Sequence, residues 1–307
     1  MENKLIVSYA PHLRTERSTK ALMLDVIIAL VPALLVGLFA FGIRAFLHVL
    51  ICVGVSVWAE HVWCLFIKKE STVKDLSAVV TGLLIAFNMP AAAPLWMGAV
   101  GAVFAMIIVK GFFGGIGHNF VNPALAARAF MLACWPVQMT AWTNPVFGKF
   151  FSQGTVSGAT PLASPDLYAL SDVFLGNIPG SIGEISALAL IIGFAYLLIR
   201  KVITWHIPVI YVGVFYILSM LAGQDATYQI FSGGLMLGAI FMATDYTTSP
   251  MTTAGHIVYA VLLGVLTMVI RTFGTLPEGV SYSILIMNIV TPLIDKFVKN
   301  KRYGGGK

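Results

Sequence analysis

The stretch Ser157-Gly158-Ala159-Thr160-Pro161 places a hydroxyl after three small residues, in one long polar interval of the chain. Gly158 and Ala159 put no bulky side chain in the way of an approaching group, and glycine also allows unusual backbone angles. Pro161 disfavours a helical conformation at Thr160, so we expect an extended backbone from which the threonine hydroxyl projects. Three small residues followed by a hydroxyl therefore suit a segment that a bulky group must approach. A simple Gly/Ser turn between two helices is the alternative.

A second set of polar residues lies in the glycine-rich turn at 111–123, which contains Gly117, Asn119 and Asn122. Glycine lets a ligand approach the backbone closely, and the Asn carboxamides offer both donors and acceptors to a polar ring. The amide groups at the start of the next helix would add further donors. Asn122 precedes Pro123, an arrangement that also suits a helix N-cap, so capping is its alternative role.

Charged residues in or beside apolar segments form the third candidate group. Arg128 lies inside an apolar segment, so we expect it to balance an anionic ligand or to pair with Asp25 or Glu60. Asp245 and Thr247 lie in the polar turn Thr-Asp-Tyr-Thr-Thr-Ser-Pro, whose oxygens suit a hard cation such as Na⁺ or a proton relay. With Asp25 they are our candidates for an ion path. The alternative is a turn at the membrane end with Asp245 in water.

The composition indicates that these residues lie in a membrane protein. Hydrophobic residues make up 58% of the 307 residues and charged residues 10%, whereas soluble domains carry about 25% charged residues. The net charge of +6 comes from basic residues at the ends of apolar segments, where they orient a membrane protein, so nucleic acid is not an expected partner. Cys52, Cys64 and Cys134 form no CxxC or CxxH pattern, and we predict no metal site.

Ten apolar segments follow one another, which predicts an all-α polytopic membrane protein with about ten transmembrane helices. The third and eighth segments are short for a hydrocarbon core of about 30 Å, and each ends at a polar break that contains proline. The segments lie at approximately 21–41, 45–67, 76–89, 94–109, 124–137, 182–199, 207–222, 231–243, 255–270 and 280–297.

The two halves of the chain repeat one pattern of five segments, with the short segment third in each half. Because five is an odd number, two such repeats must face opposite sides of the membrane, as in inverted-repeat proteins whose broken helices line a central site. We therefore expect an N-terminal segment at 1–20, five-helix repeats at 21–137 and 183–297, a loop at 138–182, and a basic tail at 298–307.

The basic residues predict the orientation of the chain. With both termini in the cytoplasm, fifteen of the nineteen Lys and Arg residues fall on the inner side, three lie in outer links, and Arg128 lies within the membrane. This arrangement places the loop at 138–182, with Thr160, outside the membrane. We predict no cleavable leader, because the first twenty residues are polar and the apolar run that follows is long enough to span.

Four stretches together resemble the RnfD family of Rnf complexes, the membrane ferredoxin:NAD⁺ oxidoreductases that pump Na⁺ or H⁺. The stretches are 10–12, 115–124, 157–161 and 242–251, and the likeness covers essentially the whole chain. The NqrB component of the Na⁺-translocating NADH:quinone reductase belongs to the same RnfD/NqrB family. Its N-terminal extension has no counterpart here, which favours the Rnf type.

The resemblance implies that Thr160 carries FMN through a phosphoester bond, made by a flavin transferase that uses FAD as donor. Ser157, Gly158 and Ala159 would complete the attachment motif. Motifs of this kind often have Asp six residues before the threonine, where this chain has Gly154. Recognition by the transferase would then rest on the Ser-Gly-Ala-Thr core.

The resemblance also implies a non-covalent riboflavin near Asn119 and Asn122. We add Gly117 as a point of close approach and Arg128 as a counter-charge for the reduced flavin. Partner subunits would carry the other flavin, iron–sulfur and NAD sites, since this chain has no dinucleotide-binding fingerprint. We thus expect an electron-relay component of a redox-driven Na⁺ or H⁺ translocase in the bacterial inner membrane, in contact with lipid. A small-solute transporter or channel and a structural membrane scaffold are the alternatives.

Reporter fusions test the predicted orientation. A reporter that fluoresces only in the cytoplasm should be bright at the C-terminus and dark within residues 138–182, because inner segments hold most of the basic residues. A bright fusion within the loop would mean that the number of spans differs by one or that the whole chain is inverted.

Overall fold

A computed structural model describes residues 17–68, 71–148, 150–151, 158–162, 164, 167–274 and 279–299. Regular structure in this part of the chain is helical, apart from one isolated bridge between Pro90 and Ser181. The helices are α1 (Thr19–Ile67), α2 (Ser77–Phe87), α3 (Leu95–Val103), α4 (Pro123–Cys134), α5 (Pro136–Met139), α6 (Leu170–Leu175), α7 (Ala187–Ile199), α8 (His206–Leu221), α9 (Ala226–Phe231), α10 (Leu235–Leu237), α11 (Thr253–Phe273) and α12 (Val280–Phe297). Helix α3 continues as the π-helical turn Phe104–Gly111 and α10 as Gly238–Met242, while Thr72–Asp75 forms a 3₁₀ helix.

The longer helices coincide with the predicted apolar segments, and the all-α membrane class is confirmed. By length and composition, α1, α11 and α12 are each able to cross a membrane. Five further apolar helices have 10–17 residues, namely Ser77–Phe87, Leu95–Gly111, Pro123–Cys134, Ala187–Ile199 and His206–Leu221. The total of ten spans and the inverted repeat stay predictions.

Helix α1 is a 49-residue element that contains the first two predicted segments and breaks at Gly42. Gly42 has φ 57° and ψ −137°, angles that are accessible mainly to glycine. The carbonyl of Phe150 lies against Gly42 and accepts a hydrogen bond from the Ile43 amide at 2.8 Å. The predicted apolar segments 21–41 and 45–67 leave a three-residue link at 42–44. The link is shorter because one glycine is sufficient to turn the chain.

Polar contacts show which helix ends lie together. Arg17 donates to the carbonyl of Arg200 at 2.8 Å, so the start of α1 lies beside the end of α7. At the other end of the first part of α1, the amide of Val146 donates to the carbonyl of Ala40 at 2.8 Å. This contact holds the long loop near the kink. The described loop and the start of α1 are therefore at opposite ends of the helical layer.

The two short broken helices end close to each other. Asn88, which follows α2, has its Nδ2 3.9 Å from Sδ of Met242, the last residue of the second π-helical turn. The carbonyls of Phe87 and Met89 accept hydrogen bonds from the amides of Gly183 and Ile182 at 3.0 and 3.1 Å. These bonds satisfy carbonyl groups that a helix end leaves free. The first break is therefore closed by the segment that leads into α7.

Gly42→Ala tests the kink in α1. A Cβ atom at Gly42 would collide with the carbonyl of Phe150 and would have to adopt strained angles, so we expect a loss of roughly 1–3 kcal/mol. Gly54→Ala in the same helix is the matched control, because a Cβ atom there meets nothing within 4 Å. Thermal unfolding of the purified protein in detergent should separate the two variants. Equal midpoints would contradict the role given to Gly42.

Candidate functional site

Thr160 lies in a packed part of the long loop. The amide of Gly158 donates to the carbonyl of Trp142 at 3.0 Å, and a Cβ atom at Gly158 would collide with the side chain of Asn144. A larger residue at this position would therefore have to displace the side chain of Asn144. Thr160 exposes only 9% of its surface, whereas the neighbouring Ala159 is exposed. The projecting hydroxyl of Thr160 stays a prediction, and Ser157 lies outside the described residues.

Packing against the second half of the chain explains why Thr160 is buried. The side chain of Leu162 lies directly over Gly233, in the turn that precedes α10. The carbonyl of Thr160 accepts a hydrogen bond from the amide of Ser164 at 3.1 Å, which closes a turn. The segment is thus folded back onto the protein.

A cavity of about 440 Å³ lies between the two halves, at the end of the molecule where α1 starts. We call it the inner cavity, and its lining includes Gly117, Asn119, Asn122, Asp245 and Thr247. Its volume lies in the range of ligand pockets, about 300–1,000 Å³. The structure therefore brings three of the predicted flavin-binding residues together with two of the predicted ion-path residues.

The two asparagines fasten the glycine-rich turn to the second half of the chain. Asn119 Nδ2 donates to the carbonyl of Val121 at 3.2 Å and to the hydroxyl of Thr247 at 3.0 Å. Asn122 caps α4 through its Oδ1, as its alternative role requires, and its Nδ2 also donates to the carbonyl of Met242 at 3.3 Å. Gly117 has φ 88°, and a Cβ atom there would meet nothing within 4 Å. Asn122 therefore both caps α4 and lines the inner cavity.

Asp245 lies in the turn after the second π-helical turn and is half-buried. Its Oδ2 accepts hydrogen bonds from the hydroxyls of Thr247 at 3.0 Å and Thr248 at 3.4 Å. Desolvation raises the pKa of the Asp245 carboxyl, and these hydrogen bonds partly offset the shift. The carboxyl is therefore a protonatable group in the cavity wall, in place of the fully hydrated turn residue that was the alternative.

Arg128 is buried but does not line the inner cavity. Its guanidinium donates to Asn88 Oδ1 and to Glu184 Oε1, both at 2.6 Å. The predicted pairing with Asp25 or Glu60 is wrong, and so is its assignment to the flavin group around Gly117 and the asparagines. The reason is that Arg128 lies more than one turn into α4 and faces the first helix break.

The carboxylates that were expected to pair with Arg128 have other partners. Asp25 accepts hydrogen bonds from Tyr196 at 2.9 Å and from Arg200 at 3.2 Å, at the end of α7. Glu60 pairs with Lys110 at 2.7 Å. Asp25 is also absent from the lining of the inner cavity. Two of the three ion-path candidates, Asp245 and Thr247, are hydrogen-bonded to each other at the inner cavity. The third, Asp25, forms an ion pair with Arg200 outside the cavity lining.

The helices and the cavity between their broken segments define the class: an α-helical membrane protein with an internal site. Residues 6–304 match the model of the NQR2, RnfD, RnfE family, and the chain belongs to this family. It is 51% identical to the D component of the Na(+)-translocating ferredoxin:NAD(+) oxidoreductase complex of Acetobacterium woodii, over 99% of this chain and 96% of that protein. It is 39% identical to the proton-translocating counterpart of Clostridium ljungdahlii, over 99% and 97%.

The names of more distant relatives do not specify which ion is translocated. The D component of the ion-translocating oxidoreductase complex of Halorhodospira halophila is 36% identical, over 96% of this chain and 94% of that protein. The family resemblance inferred from the four sequence stretches is therefore confirmed.

Sequence reasoning missed two residues of the buried polar network. Glu184, the partner of Arg128, stands in an apolar segment, and an acidic residue in that setting signals the need for a cation. Lys110 was treated as a basic residue at the inner membrane end, yet it is 5% exposed. Its position directly after an apolar run gave no signal of burial, because the π-helical turn that brings it inward cannot be seen in the sequence.

Arg128 and Glu184 should behave as a structural pair. Arg128→Gln leaves a buried carboxylate without its cation, so we expect a loss of roughly 3–5 kcal/mol. The double variant Arg128→Gln/Glu184→Gln removes both charges and should recover most of the thermal stability of the purified protein. A single variant as stable as the parent, or a double variant no better than the single one, would contradict this role.

Proposed function

We propose that this chain is a membrane component of an Rnf-type ferredoxin:NAD⁺ oxidoreductase complex, and that it relays electrons between two flavins while the complex moves Na⁺ or H⁺. The inner cavity carries the proposal, because its size and its asparagine lining suit a polar ring system. The Thr160 segment lies with the long loop towards the opposite end. One chain would then hold flavins near both faces of the membrane.

The first flavin would be FMN, linked through its phosphate to the hydroxyl of Thr160. Support comes from the Ser-Gly-Ala-Thr-Pro sequence and from the family, whose members include redox complexes. Because Thr160 is buried when Leu162 covers Gly233, we infer that a flavin transferase modifies the segment before it packs. Attachment would take place on the outer side of the inner membrane, with both termini of the chain in the cytoplasm.

The second flavin would be a non-covalent riboflavin in the inner cavity. Gly117 leaves the backbone accessible, and the Asn119 and Asn122 carboxamides lie in the wall. When bound, the flavin supplies the electron-transfer chemistry, while the protein sets its position and potential. Partner subunits would hold the iron–sulfur, NAD and remaining flavin sites. Asp245 and Thr247 would serve the coupling ion.

A small-solute transporter is the second candidate, because a cavity between broken helices is also typical of that class. A transporter needs no covalent chromophore. The two functions therefore differ in one observable property, the flavin fluorescence that survives denaturation.

Thr160→Ala tests the covalent site. The variant should insert into the membrane but lose the flavin fluorescence of its band on a denaturing gel, because no hydroxyl remains for the phosphoester. Thr160→Ser keeps a hydroxyl and should keep part of the signal. Thr140→Ala, at an exposed threonine earlier in the same loop, is the matched control and should keep all of it. Undiminished fluorescence in Thr160→Ala would overturn the assignment.

A further inference from the structure

Both π-helical turns border the inner cavity. The turn Gly238–Met242 contributes Ile240 and Phe241 to its wall, and the turn Phe104–Gly111 contributes Lys110. Wide turns of this kind are rare and are found frequently at functional sites. Here the wider helical turn carries a lysine side chain into the protein, where it exposes only 5% of its surface.

Two hydrogen bonds hold the Lys110 ammonium. Nζ donates to Glu60 Oε1 at 2.7 Å and to the hydroxyl of Ser77 at 2.6 Å. Ser77 donates in turn to Asp75 at 2.6 Å, and Thr72 donates to the same oxygen of Glu60 at 2.9 Å. An ammonium group has three N–H donors, so these two bonds leave one donor for another acceptor.

Lys110 lies between two spaces of different size. With Ser77 it lines the inner cavity, whereas Glu60 lines only a separate pocket of about 60 Å³ on the other side, which Lys110 also borders. Glu60 Oε2 is buried and has no hydrogen-bond partner among the described residues. Of the two members of the ion pair, Lys110 is therefore the one that lines the inner cavity.

Lys110 is the basic side chain among the ionisable residues that line the described part of the inner cavity. Among the described residues that line it, Asp245 and Tyr246 are the other ionisable side chains, and Lys110 carries the only positive charge. Arg128, the cation proposed from the sequence, faces Asn88 and Glu184 instead. A ligand in the inner cavity therefore has one basic side chain, that of Lys110, among the described residues of the cavity wall.

We propose that Lys110 is the positioning residue for the ring bound in the inner cavity, donating its third N–H to a ring oxygen or nitrogen and acting as the counter-charge when the ring is reduced. This inference rests on the proposed riboflavin site. A ring that gains electrons becomes a stronger acceptor, and a charge-assisted hydrogen bond in a dry site responds to that gain. The ion pair with Glu60 fixes the position of the Lys110 ammonium group.

Two variants of the ion pair test the proposal, one without the carboxylate of Glu60 and one without either charge. Glu60→Gln keeps the lysine cation, whereas Glu60→Gln/Lys110→Gln replaces the whole pair with amides of similar size. Riboflavin is added to the flavin-depleted protein, and its affinity is measured by fluorescence in the oxidised and reduced states. Asn119→Leu is the control for a change in the cavity wall that removes no charge.

We expect the double variant to bind oxidised riboflavin roughly 10- to 150-fold more weakly than Glu60→Gln, since a hydrogen bond to a charged group contributes about 1.5–3 kcal/mol. The loss should be larger for reduced riboflavin, so the potential of the bound flavin falls. Asn119→Leu should weaken both states equally. A double variant that matches Glu60→Gln in both states would overturn the role of Lys110 and leave the riboflavin site intact. If the parent protein itself binds no riboflavin, both the site and the role of Lys110 are overturned.

Discussion

A charged group in an apolar interior must find a partner, and the Arg128–Glu184 ion pair is the contact on which the arrangement of this protein depends. The arginine comes from the first half of the chain and the glutamate from the segment that leads into the second, and both are buried. Asn88, at the end of the broken helix α2, accepts a second hydrogen bond from the same guanidinium. One side chain therefore connects the first break to the junction of the halves.

The second break is held by hydrogen bonds from the uncharged side chains of two asparagines. Asn119 donates to Thr247 and Asn122 donates to the carbonyl of Met242, so the turn before α4 is joined to the end of the second π-helical turn. These contacts leave the inner cavity beside them open. The asparagines thus connect the two halves at the cavity wall, and the interior arginine is not available to a ligand there. We infer that charge for a bound ring must come from another residue, and Lys110 meets that need.

The apolar segments, their ends and their helical character could be predicted because hydrophobic length is a local property of the sequence. The cap at Asn122, given as its alternative role, and an interruption of the apolar run at 42–44 could also be predicted, since both depend on local chemistry. Which buried charged residues pair with each other could not be predicted in the same way. Several buried or half-buried carboxylates and several cations offered many combinations, and only tertiary packing selected Glu184 for Arg128 and Lys110 for Glu60. The burial of Thr160 escaped prediction for a related reason, because it depends on contact with a turn far along the chain.

The central claim is that this one chain holds a covalent flavin on its outer loop and a non-covalent flavin in its inner cavity. Flavin content per chain, measured in the complex after acid precipitation, tests it most directly. The account predicts one equivalent of flavin in the protein pellet, located by mass spectrometry on the peptide that contains Thr160, and an extractable equivalent that Asn119→Leu removes. A pellet free of flavin, or an extract that Asn119→Leu leaves unchanged, would contradict it.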